Sequence, residues 1–111
     1  MDKGGKEGRG VRIGTLTVSG GLTDDVTRKT IEKSLHKLLT CDQNIQMKGK
    51  LAVALVIDIH GRVKNVEIIS GELNNKEIEQ CITDIIMKLT FPVKQGNLMK
   101  IKAHVTFIFS S

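Results

Sequence analysis

Cys41 and Cys81 are the two cysteines of this 111-residue chain, and His36, His60 and His104 are its three histidines. These five side chains are the natural candidates for redox, metal or nucleophilic chemistry. The thiols stand forty positions apart, which is the spacing of neither a CxxC redox pair nor a zinc-ligand set. Two outcomes remain open for them. They can join in a disulfide that closes a loop of about 40 residues, worth roughly 4 kcal/mol on the chain-entropy account. Alternatively, they stay reduced as small apolar core residues in a cytosolic protein, the outcome composition alone favours. Each histidine falls on a different element, a helix, a turn and a strand, with no second ligand at metal-binding spacing. No Ser/His/Asp or Cys/His arrangement stands out, and Gly4-Gly5 and Gly8-Arg9-Gly10 lack the preceding strand and following helix of a phosphate loop. The expectation is a chain that is not an enzyme and takes no metal or cofactor.

What surrounds these residues narrows the classes further. Lysine and arginine number 17 against 12 aspartates and glutamates, a formal net charge of +5. Such a chain is drawn to polyanions. With only Phe91, Phe107 and Phe109 as aromatics and no Arg-rich helix, nucleic acid is not the expected partner. The longest apolar run, Leu51 to Ile57, falls far short of the roughly 20 residues of a membrane span. Residues 1–10 contain four glycines and alternating charge without an apolar stretch, so they read as a disordered linker and not as a signal peptide. If the domain is exported, the expectation is that a signal or anchor lies on a larger parent chain.

The elements that must position these residues follow from periodicity. Val11 to Val18 reads as a weak strand interrupted by Gly14, its partner left open. Thr23 is a helix cap with Asp24 and Asp25 in the first turn. Ile31, Leu35, Leu38 and Leu39 repeat along one face, predicting a helix from Asp24 to Cys41. After Gly49, residues Leu51, Val53, Leu55 and Ile57 alternate with Ala52, Ala54 and Val56 in a strand, and His60-Gly61 turns the chain into a partner strand, Arg62 to Ser70. Asn74 with Glu77 predicts a capping box for a second helix, striped by Ile78, Ile82, Ile85 and Leu89 and ended by Phe91-Pro92. Last comes Ile101, Ala103, Val105, Phe107 and Phe109 alternating with Lys102, His104, Thr106 and Ile108, a one-sided strand.

The order predicts an α+β fold: a three-stranded antiparallel sheet with two helices on one face, residues 11–111, with the N-terminal strand as an addition. Lysines on the outer side of the last strand suit a sheet edge. The expected partner-binding residues are therefore Lys100, Lys102, His104, Thr106 and Ile108, with an added partner strand pairing to that edge. Ala52, Ala54, Val56, Val66 and Ile68 either form a second, mildly apolar sheet face in need of a cover or belong to the core.

Taken in order, Ser19-Gly20-Gly21-Leu22, Cys41, Gly49, Gly61-Arg62-Val63, Val66 to Ser70, Glu79-Gln80-Cys81-Ile82, Phe91-Pro92 and Val105-Thr106-Phe107-Ile108-Phe109 resemble the TonB C-terminal domain. The likeness is to the branch found in AgmX/PglI-type gliding-motility proteins and spans Val11 to the end. The sequence departs from the branch's pattern at Asp42, before Gly49 and at Thr90. The resemblance implies a periplasmic domain of an inner-membrane-anchored parent, coupling energy or position to outer-membrane partners by binding peptide segments along the last strand. It also implies that Cys41 and Cys81 pair. The alternative is a self-association module, dimeric through the face carrying Ala52 and Ala54. A third reading is a domain that binds an acidic envelope polymer through its lysines.

Overall fold

The computed structural model describes residues 10–41, 48–73, 75–94, 96 and 98–110. Residues 1–9, expected to be a linker, lie outside the described residues, while Gly10 already begins the first strand. Seven elements follow in the order β1 (Gly10–Ser19), α1 (Asp24–Glu32), α2 (Leu35–Leu39), β2 (Gly49–Ile57), β3 (Val63–Gly71), α3 (Lys76–Met87) and β4 (Ile101–Ser110).

Thr23 caps α1 as its sequence position predicts, its Oγ1 accepting the Val26 N–H at 3.2 Å. The single helix expected to reach Cys41 is instead two, broken at Lys33 and Ser34. Ser34 is buried, and both its N–H and its hydroxyl donate to the Ile31 carbonyl, at 2.9 and 2.8 Å. That tight local bonding replaces the regular ladder and ends the first helix. The cap of α3 is Asn75, whose Oδ1 accepts the Ile78 N–H at 3.0 Å. The cap expected at Asn74 is thus displaced by one residue, which puts Ile78 and not Glu77 at the third helical position, so the expected capping box does not form; Asn74 itself lies outside the described residues. The fully buried stripe of α3 is Ile78, Ile82 and Ile86, with Ile85 and Leu89 only partly buried.

The sheet has four antiparallel strands in the order β1-β4-β2-β3. Leu51, Val53, Leu55 and Ile57 of β2 and Ile101, Ala103, Val105, Phe107 and Phe109 of β4 point to one face, each at most 2% exposed. Ile13 and Leu16 of β1 join them, and Ile31, Leu38, Ile78, Ile82 and Ile86 of the helices close the same core. The fold is therefore two layers, helices over one sheet face. Val66 and Ile68 pack partly buried against this core, opposite Leu55 and Val53. Of the five residues assigned to a second face, only Ala52, Ala54 and Val56 are on it. Bulges at Ile69 and Lys64 shift the β3 register and account for that split.

Between β2 and β3 the turn spans Asp58 to Arg62. Asp58 Oδ1 accepts the N–H groups of His60 and Arg62 at 2.8 and 2.9 Å, while Gly61 takes a φ of +92°.

Candidate functional site

The residues singled out at the last strand come together, but not at an edge. β4 pairs with β2 from Ile101 to Phe109 and with β1 from Lys102 to Ser110, so both of its backbone edges are taken. The expectation that a partner strand adds directly to Lys100–Phe109 is therefore corrected: β1 occupies that position. The lysine-lined pattern mimicked an edge because the sheet carries helices on one side only, so the outward residues of even a central strand meet solvent.

Lys102, His104, Thr106 and Ile108 all point to the helix-free face, Lys102 and His104 exposed and the other two half-buried. Lys100 is exposed just before the strand. Strand register lays out the rest of that face. Thr17, His104, Ala54 and Glu67 form one cross-strand row, and Thr15, Thr106, Ala52 and Ser70 the next. Ser19, Lys102, Val56 and Asn65 lie at one end, and Arg12, Ile108 and Lys50 at the other. Short side chains fill the Thr15, Thr106, Ala52 and Ser70 row, while His104 and Glu67 stand exposed in the row beside it. Gly14 bulges out of β1 beside Ile108, whose side chain fills the space a Cβ would occupy there.

Among the described residues the open edges are β1 and β3. β3 carries bulges at Lys64 and Ile69 and the charged Lys64 and Glu67, devices that make an edge a poor template. β1 is ten residues long with one bulge and a single charge, Arg12. Its inward residues are also the less covered ones: Ile13 and Leu16 retain 9% exposure, and Val11 and Val18 are only half-buried. Sequence reasoning named the strand but missed this role, because the identity of its neighbour is a long-range property that a local pattern does not encode.

Cys41, just past α2, and Cys81, in α3, form a disulfide with Cα atoms 5.8 Å apart. It ties the two helices over opposite halves of the sheet. One concavity, of about 430 Å³, is an open cleft lined by Thr30, Lys33, Leu89, Thr90, Phe91 and Pro92, with Lys33 the titratable group of that lining. Among the described residues no three His, Cys, Asp or Glu side chains gather as a metal site, and no helix is long and apolar enough to cross a membrane. Comparisons of the chain with known protein families, curated proteins and solved structures find no match.

Proposed function

We propose that this chain is a protein-binding domain of a cell-envelope machine, a TonB-like coupling module that engages an extended partner segment by strand addition at the outer edge of β1. The observation that carries the reading is the sheet order, which among the described residues leaves a ten-residue, nearly charge-free strand unpaired on one side. Alternate backbone N–H and C=O groups of such a strand point outward and are ready to pair. Roughly five new backbone bonds at about 1 kcal/mol each, less the cost of ordering the segment, suit a reversible contact.

Side chains would supply selectivity. Apolar residues at alternate positions of the incoming strand would extend the core past Ile13 and Leu16, whose residual exposure marks where the core ends. The disulfide supports a non-reducing compartment, and with the resemblance it points to a periplasmic domain of an anchored parent acting in energy transduction or gliding motility.

The test is a selection of dodecapeptides from a random display library, followed by titration of the winners into isotope-labelled chain. The reading expects the amides of Arg12 to Ser19 to shift and gain exchange protection, with little dependence on salt. Shifts confined to β3 or to the helices would refute it.

A further inference from the structure

The helix-free face of the sheet carries a charge that the helical layer does not share. The four strands hold Arg12, Lys50, Lys64 and Lys102 against a single carboxylate, Glu67. The three helices hold Asp24, Asp25, Glu32, Glu77, Glu79 and Asp84 against Arg28, Lys29, Lys37 and Lys76. Because the inner face is apolar, the strand charges sit on the outer face and its margins. With Lys33 and Lys88 at the C-caps of α1 and α3 the helical side balances its charges, whereas the bare side is cationic.

We propose that this bare face is a second docking site, distinct from the β1 edge, for an acidic polypeptide segment lying along β4. Arg12 and Lys50 flank Ile108 in one cross-strand row, about 10 Å apart at two strand spacings. Lys102 stands six residues away on β4, about 20 Å along the strand. None of these three cations forms an ion pair among the described residues. Carboxylates on or beside this face are Glu67, in the row of His104 and Ala54, and Glu72, whose Oε1 accepts the Lys50 N–H at 2.8 Å. Between the two cationic ends lie the short side chains of Thr15, Thr106, Ala52 and Ala54, with exposed His104 beside Ala54, and an extended chain can lie along them. Carboxylates near its two ends would meet the cations.

Charge decides the occupant. Two copies of this face pressed together would set Arg12, Lys50 and Lys102 against the same cations, which like-charge repulsion opposes. An acidic segment meets no such penalty, and its binding would be steered and salt-sensitive.

The probe is a twelve-residue peptide alternating glutamate with alanine and threonine, with a glutamine version as control, titrated into the oxidised chain at low salt. The glutamate peptide is expected to shift the Lys102–Ile108 and Ala52–Val56 amides, and the control to leave them still. Arg12→Gln, Lys50→Gln and Lys102→Gln combined should weaken binding about tenfold. The helical pair Lys29→Gln and Lys37→Gln should leave it unchanged. Equal loss in both variants, or shifts confined to the helices, would overturn the proposal. So would concentration-dependent self-association through this face, which would make a second copy its occupant. Shifts confined to the β1 edge would contradict this site while leaving the strand-addition reading intact.

Discussion

Thr15 of β1 lies opposite Thr106 of β4, and Ala52 of β2 lies on the other side of the same Thr106. That pairing moves the candidate edge from the last strand to the first. It also separates two properties that sequence alone merges: the side chains of β4 are open to a partner on one face, while its backbone is committed on both sides.

Gly61 and Phe91 hold the turn of the hairpin to the segment after α3. The Phe91 N–H donates to the Gly61 carbonyl at 2.8 Å, Gly61 has a φ of +92°, and a Cβ there would overlap the Phe91 carbonyl oxygen. Both the backbone conformation and the space demand glycine. Gly61→Ala is expected to cost at least about 2 kcal/mol, read as a lower urea midpoint with an unchanged slope. A loss of a few tenths would show that the contact is easily relieved.

The turn also makes a pH-dependent contribution. The Arg62 N–H, the largest cause, and the His60 N–H hold the Asp58 carboxyl below its ordinary 3.8, against partial desolvation. A carboxyl depressed on folding stabilises the fold above its unfolded value and loses that contribution as pH falls through the folded one. The stability difference between the parent chain and Asp58→Ala should therefore be full at neutral pH and shrink as pH drops below about 3.8. Urea titrations at several pH values would check this, and a difference that does not change with pH would exclude a role for the charged form.

Much of the fold was legible because it rests on local chemistry. Thr23 with Asp24 and Asp25 announced a helix start, and the alternation from Ile101 to Phe109 announced a one-sided strand. Other features depended on contacts between distant segments. The break at Ser34 comes from its bonding to Ile31 once buried, and a buried serine looks like any other in sequence. The candidate site was half legible: Lys102, His104, Thr106 and Ile108 do share an exposed face, but the neighbour that closes the β4 edge is some ninety residues away in the chain.

Cys41→Ser with Cys81→Ser removes the bridge between α2 and α3. The loss is expected to be large, up to about 4 kcal/mol for a loop of this length. Reducing agent should lower the urea midpoint of the parent chain and leave the double variant unaffected. A parent insensitive to reduction, with both thiols shown free under denaturant, would contradict a stabilising role.

Gly14 tests the packing of the bare face. A Cβ on it would stand 2.6 Å from Ile108 Cδ1, the mobile end of a side chain. Gly14→Ala should therefore cost only about 1 kcal/mol, and Ile108→Val should recover most of it in a double-mutant cycle. Additive losses would show that backbone strain, not the Ile108 side chain, sets the cost.

The most direct test locks β1 to β4 with a cross-strand disulfide, Thr15→Cys with Thr106→Cys, at the pair that defines the edge. Binding of the selected peptides is then measured in the locked and unlocked chains. If partners add to the outer edge of β1, the locked chain binds as tightly as the parent, within about twofold (0.4 kcal/mol). If binding disappears on locking and returns on selective reopening, partners enter by displacing β1 from β4, and the account of the open edge is wrong.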